Sequence, residues 1–327
     1  MVESAELKAR LGEAARELGF DLFGTCRADP PESLSALRLW LDEGFAGTMG
    51  YMERSFEMRS DLRSLLPEVQ SVIAVGMNCK QTNVPVPGRP RIATYALGRD
   101  YHKTIRSKLK RLARTVSDMS PGAVSRACVD SAPILEREYG QRAGLGWFGK
   151  NTCLINSHRG SFFMIGVVLT SVELEPSRPS AGGCGTCSKC IEACPTGAIV
   201  PNDGRWQIDA RRCVSYLTIE HRGSIDPELA TQMGDCTFGF DLCQDVCPFN
   251  EARPSQPLRG QPTRDPDFLD HKEFPSLLEL TEMSQERWDV LTTGSALRRA
   301  GFQGIKRNAR INLENAQDPS HGAQRRK

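Results

Sequence analysis

The sequence predicts a mixed α/β chain (α+β), with a buried sheet in its N-terminal part, a cysteine-organised segment after it and helices at the C-terminal end. Three observations carry this. Ser71-Val-Ile-Ala-Val-Gly76 and Ser161-Phe-Phe-Met-Ile-Gly-Val-Val-Leu-Thr170 are continuous apolar runs with polar flanks, the mark of strands covered on both faces. Segments with apolar residues three and four apart stand before and between them, as helices that cover a sheet do. Eight of the 12 cysteines fall between Cys184 and Cys247, which sets that stretch apart.

Taken in order, residues 3–18 read as an amphipathic helix with Leu7, Leu11, Ala14, Ala15 and Leu18 on one face. Gly19 caps it, and Phe20 to Phe23 form a short strand. A helix over 32–43 carries Leu34, Leu37, Trp40 and Leu41 and stops at Gly44. Gly47 to Arg54, leading to Arg59, Asp61 and Arg63, reads as a solvated turn rather than a lip over a flat ligand. A proline-rich loop runs from Val84 to Pro90. The next helix has an apolar stripe (Ile105, Leu109, Leu112, Val116) and a face bearing Lys103, Arg106, Lys108, Lys110, Arg111 and Arg114. Such a face is commonly just solvated, and it also has the charge to meet phosphates.

Ala127-Cys-Val-Asp130-Ser-Ala-Pro133 reads as a strand end turning into a helix. Asp130 there is either an N-cap or a ligand-facing residue. In Ala143-Gly-Leu-Gly-Trp-Phe-Gly-Lys-Asn-Thr152 the glycines signal close backbone approach. It is not a Walker A loop, because Asn151 follows Lys150 and the spacing is wrong. Residues 172–183, rich in Pro, Ser and Gly, read as a linker, and Arg212 to Arg222 as a short helix. Prolines 254, 257, 262 and 266 mark a loose connection to helices over 275–291 and 295–314, with 317–327 frayed. The division expected is 1–171, 172–255 and 256–327.

The chemistry lies in the cysteines. Cys184, Cys187, Cys190 and Cys194-Pro195 have the C-x2-C-x2-C-x3-C-P spacing of bacterial ferredoxins, and Cys243 and Cys247-Pro248 repeat its ending. Zinc ribbons lack the triple repeat and the C-P ending. In this pattern three thiolates wrap one [4Fe–4S] cubane and the one before proline reaches the neighbouring cubane. Cys184, Cys187, Cys190 and Cys247 therefore hold one cluster, and Cys194, Cys213 and Cys243 the other. Position 240, where the last thiolate belongs, is Phe240. Cys236 lies four residues upstream, and a non-cysteine ligand or a labile cluster are further readings of the open seat.

A net charge of +2 announces no nucleic acid by itself, so any basic surface is local. The acidic start has no apolar h-region, and no apolar run approaches the roughly 18 residues of a membrane span. The expectation is a cytoplasmic protein with reduced cysteines.

Together, Tyr95-Ala-Leu-Gly-Arg-Asp-Tyr-His102, Val129 to Pro133, Arg142 to Asn151, Asp209 to Glu220, the cysteine run and Cys243 to Asn250 resemble the epoxyqueuosine reductase family. These are cobalamin-dependent iron–sulfur enzymes of queuosine synthesis in tRNA. The resemblance covers about residues 5 to 315. It implies a nitroreductase-like cobalamin domain, then a ferredoxin-like domain with two [4Fe–4S] clusters. It makes Asp130 the proton donor, with its pKa raised by a desolvated site. It places Tyr95, Asp100, Tyr101, His102, Asp130, Gly144, Gly146, Gly149, Lys150, Asn151, Ser215 and Tyr216 at the corrin. No D-x-H-x-x-G motif is present, so cobalamin is expected base-off without a protein histidine ligand.

The substrate implied is the wobble base of a tRNA anticodon loop, with Arg99, Arg222, Arg298, Arg299, Lys306 and Arg307 tracking phosphates. An external donor such as flavodoxin or ferredoxin and a monomeric state are expected. The chain departs from the family at Phe240 and in stopping after the basic helix. Competing readings are a reductive dehalogenase-like enzyme, a two-cluster electron carrier without catalysis, and a corrinoid chaperone.

Overall fold

In a computed structural model, residues 4–82 and 86–317 are described. The expectations for Val84 and Pro85 and for residues 318–327 lie outside them.

The N-terminal part runs through α1 (Ser4–Glu17), β1 (Leu22–Arg27), α2 (Leu34–Asp42), β2 (Ser71–Asn78), β3 (Arg91–Ile92), α3 (Tyr101–Met119), β4 (Ser125–Cys128), α4 (Glu136–Arg142) and β5 (Phe163–Thr170). Four strands form one sheet in the order β1-β2-β5-β4, with every neighbour antiparallel. The alternation of a strand then divides β2 between two cores. Ile73, Val75 and Met77 meet Leu7 and Leu11 of α1 and Ile105, Leu109 and Leu112 of α3. Val72 and Ala74 meet Leu62, Leu65, Tyr139 and Leu145 on the other face. Both apolar runs are buried on both sides for this reason.

The cluster region holds α5 (Lys189–Glu192), α6 (Val214–Ile219), β6 (Cys236–Phe238) and α7 (Leu242–Asp245). β6 pairs in parallel with β3, Cys236 opposite Arg91 and Phe238 opposite Ile92. The two parts are thus stitched by backbone. Segment 172–183 is no free linker. Ser177 N–H donates to the Thr25 carbonyl (2.7 Å) and Leu174 N–H to the Ser71 hydroxyl (2.9 Å), so it lies along the sheet edge. The proline-rich connection is docked too: Lys108 pairs with Asp265 at 2.6 Å, and Thr104 donates to Asp267 at 2.8 Å.

The helix expected over 275–291 is two, α8 (Leu277–Glu282) and α9 (Gln285–Leu291). Ser276 and Glu279 form a capping box at the first, and Ser284 caps a second start. The last helix, α10 (Gly301–Gln317), begins later than expected because Gly301 (φ 71°) ends a short 3₁₀ turn over Ala296–Ala300. Among the described residues no helix is long and apolar enough to cross a membrane.

Candidate functional site

A cleft of about 1720 Å³ opens between the sheet part and the cluster region. Pockets for ordinary small molecules hold roughly 300–1,000 Å³, so this one suits a larger occupant. Asp130 stands on its wall, just after β4, with φ 48°. That is a costly conformation for a residue with a Cβ, and the surroundings fix it. Glu136 Oε1 accepts from Asp130 N–H at 2.6 Å. His102 Nε2 lies 2.8 Å from Asp130 Oδ2, and its Nδ1 lies 2.8 Å from Asp100 Oδ1. Asp100 is also the N-cap of α3, which fixes the ring's partner.

These contacts decide where protons sit. Burial works against charge on His102, but the two carboxylates outweigh it and hold its pKa at about 9. Asp130 is exposed to the open cleft, and desolvation by the surrounding walls disfavours its carboxylate. Its hydrogen bonds with His102 and Tyr101 and the field of Arg299 overcome that, and its pKa falls below the ordinary value. The expectation of a raised Asp130 pKa is therefore corrected: near neutral pH Asp130 is ionised and His102 carries the proton. Glu136, half-buried and desolvated beside the Asp130 charge, is pushed up to about 8 and is mostly protonated there. Nothing in the sequence marked Glu136.

Four thiols form one group. Cys190 faces Cys184, Cys187 and Cys247, and a small cavity is lined by all four. In the second group Cys194 accepts from Ala198 N–H at 3.3 Å, while Cys213 accepts from the N–H groups of Ser215 and Tyr216. Burial pushes the Cys213 thiol up, and these two N–H groups work against that. The thiol in hydrogen-bond contact with Cys243 is Cys153, from outside the cysteine run. Cys236 lies on β6, its thiol 3.9 Å from Asp235 Oδ1. No three His, Cys, Asp or Glu among the described residues are placed to hold a single metal ion. A cubane, with an iron at each of four corners, takes thiols set further apart.

A corrin fits the cleft by shape and chemistry. Its walls combine apolar Trp40, Met49, Phe148 and Ile208 with polar groups, and it reaches Cys184 and Cys213 at the cluster side. Tyr95, Tyr101, His102, Gly149, Lys150, Ser215 and Tyr216 all line it. The Tyr216 hydroxyl accepts from Thr48 N–H at 2.7 Å, and Gly47 (φ 57°) lies so close that a Cβ there would collide with that hydroxyl. The 47–54 loop is thus a lip of the cleft and not a solvated turn.

Four expected cofactor residues stand elsewhere. Asp100 acts behind His102. Gly144 and Gly146 pack against the Arg178 and Ile155 carbonyls, so their close approach is within the protein. Asn151 is buried and donates to the Cys243 carbonyl at 3.0 Å. Lys150, on the wall, spends its ammonium on the Cys187 carbonyl at 2.9 Å.

The cations divide similarly. Arg299 lies in the cleft, bidentate to Glu220 at 2.6 and 2.8 Å. Arg298 and Arg99 are exposed and bridge to Asp289 (3.1 Å) and Asp267 (3.3 Å). Arg222 donates to the Arg299 carbonyl at 2.7 Å. Arg307 is committed to the Leu217, His221 and Gly223 carbonyls, and Lys306 to that of Met283. Arg307 is therefore a tie between α10 and the end of α6, which corrects its assignment to a phosphate track.

Residues 183–250 match the family described as a 4Fe-4S double cluster binding domain. Residues 59–131 match the one described as epoxyqueuosine reductase QueG, DUF1730. The chain is 40% identical over 319 residues to the epoxyqueuosine reductase of Escherichia coli (strain K12), spanning 95% of this chain and 82% of the relative. It is 41% identical to that of Gloeobacter violaceus, spanning 95% of each. A crystal structure of epoxyqueuosine reductase with an epoxyqueuosine-modified tRNA-Tyr stem loop superposes with a TM-score of 0.83 at 28% identity, over 98% of this chain and 84% of that one. By the length and identity of these matches, the chain belongs to the epoxyqueuosine reductase family.

Proposed function

We propose that this chain reduces epoxyqueuosine to queuosine at the wobble position of tRNA, with a proton held on His102 Nε2 and passed on through Asp130 Oδ2. The overall change consumes two electrons and two protons, converts the epoxide to an alkene and releases its oxygen as water. Cobalamin, when bound beside two [4Fe–4S] clusters, supplies the low-valent cobalt chemistry that such a reduction needs. The protein's own contribution is position and protonation. Tyr101 and His102 orient the Asp130 carboxylate, and Asp100 keeps the imidazole turned to it. Lip residues Gly47 and Thr48, through Tyr216, shape the mouth.

Residues 1–171 carry the cobalamin, 172–255 the clusters and 256–327 the basic helices. Arg99, Arg222, Arg298 and Arg299 guide the anticodon loop, and Arg299 is the one already inside the cleft. Electrons come from an external donor such as flavodoxin or ferredoxin, and the chain acts in the cytoplasm as a monomer.

The observation that supports this reading best is the His102–Asp130 contact at 2.8 Å on the wall of a cleft that also reaches Cys213. The test is anaerobic reconstitution with iron, sulfide and cobalamin, then reduction in the presence of epoxyqueuosine-containing tRNA. Mass analysis of the nucleosides should show queuosine, one oxygen lighter. Full loading of both cofactors with unaltered nucleoside would refute it.

A further inference from the structure

Two cubanes need four thiolates each, and the ferredoxin spacing is one ligand short because position 240 is phenylalanine. Phe240 packs with Val214, Tyr216, Leu217 and Met233, so its side chain serves the apolar cluster under the cleft. Two other cysteines are near enough to consider, Cys236 and Cys153.

Cys236 is pinned by its backbone. It pairs with Arg91 in the β3–β6 ladder, and Asn312 Nδ2 donates to its carbonyl at 3.2 Å and to that of Gly234 at 3.0 Å. Its thiol lies 3.9 Å from Asp235 Oδ1, whereas the groups that act on the Cys243 thiol are Cys153, Cys213 and Asp241. Cys153 needs no movement. It follows Thr152 (φ 60°) in a tight turn closed by Thr152 N–H to the Gly149 carbonyl (2.9 Å) and Gly149 N–H to its own carbonyl (2.9 Å). One buried side chain clamps this turn to the cluster region. Asn151 Oδ1 accepts from Cys153 N–H at 3.2 Å, while Asn151 Nδ2 donates to the Cys243 carbonyl at 3.0 Å. The two thiols are brought into contact as a result, with Cys213 beside Cys243.

We propose that Cys153 is the fourth protein ligand of the second [4Fe–4S] cluster, together with Cys194, Cys213 and Cys243, in the place that the spacing gives to position 240. The proposal rests on the two-cluster reading and is independent of the substrate. It gives the Gly149–Cys153 turn a second role: Gly149, Lys150 and Thr152 line the cleft, so the second cluster is ligated by the cleft's own wall.

The test is anaerobic reconstitution of the full chain, with iron and sulfide counted per chain and EPR spectra of oxidised and reduced samples. Wild type should carry two full cubanes. Cys153→Ala should lose the second cluster or leave it as a three-iron species with its oxidised-state EPR signal, while Cys236→Ala keeps full iron. Cys153→Ala with Phe240→Cys should regain the iron, because the ligand returns to the position the spacing expects. Intact wild-type iron and spectra in Cys153→Ala, or the loss appearing in Cys236→Ala instead, would overturn the proposal. Alkylation of Cys153 in fully loaded wild-type protein would overturn it without any variant. A wild type that takes up only one cluster would sink the two-cluster reading, and this proposal with it; conversion of the tRNA base bears on neither.

Discussion

His102 and Asp130 share a 2.8 Å hydrogen bond in which the imidazole, not the carboxyl, is the group that keeps its proton near neutral pH. Asp130→Asn should therefore do two separable things. Turnover should fall by roughly 10²–10⁴-fold, the usual worth of a positioned acid or base, while cobalamin affinity stays unchanged. The His102 pKa should also drop from about 9, since one of its two carboxylate partners is gone. NMR titration of the ring in the variant checks the second effect, and an unmoved pKa would dissolve the pair.

The same pair sets a pH profile. Protonated His102 is present below about 9 and lost above it, so activity should decline on the alkaline side through that value. Stability follows in the same sense. The folded pKa lies above the ordinary 6.5, so the stabilisation is complete below about 6.5 and disappears as pH rises through about 9. Asp130 runs oppositely: its lowered pKa gives stability above the ordinary 3.8 that is lost on acidification. His102→Gln should flatten the alkaline limb of both thermal stability and rate.

Glu136 makes a sharper case. With its pKa at about 8, it is mostly neutral at pH 7, and Gln in its place retains an acceptor for Asp130 N–H. Glu136→Gln should leave stability near pH 7 within about 0.5 kcal/mol. It should be more stable than wild type above pH 8, where the native carboxyl must ionise in a desolvated place beside the Asp130 charge. Urea melts at pH 7 and 9 decide this.

Arg298 and Arg299 should separate on charge reversal. Arg298→Glu should weaken binding of an anticodon stem-loop and lower the salt slope by about one. Arg299→Glu should instead disturb the cleft itself, because its bidentate partner Glu220 becomes a repelling neighbour. Filter binding across a salt series, alongside cobalamin titration, tells the two apart.

Gly47→Ala places a Cβ against the Tyr216 hydroxyl at a left-handed backbone position. A cost of about 1 kcal/mol or more is expected, with weaker cobalamin retention as the lip shifts. Calorimetry of both variant and wild type provides the comparison.

Much of this was legible in residue order. The apolar runs at Ser71 and Ser161 announced strands buried on both faces, and the C-x3-C-P endings announced clusters. What escaped depends on distance through space. Gly144 and Gly146 look like a ligand cradle in sequence, yet the surfaces they admit are the carbonyls of residues 178 and 155. Asn151 reads as a cofactor group and is an internal clamp. The Asp130 pKa turns on His102, 28 positions earlier, which no local pattern reports. Cys153 had one available signal: a cysteine just after the glycine loop in a chain whose cluster pattern is one ligand short.

The pairing of Arg91–Ile92 with Cys236–Phe238 has a practical outcome for anyone dissecting this molecule. A cut in the 172–183 segment would sever the covalent path but not the ladder, so the fragments should remain associated and neither should be expected to behave as a free-standing module. The separation between iron and the cleft is accordingly set by sheet hydrogen bonds and not by the slack of a tether.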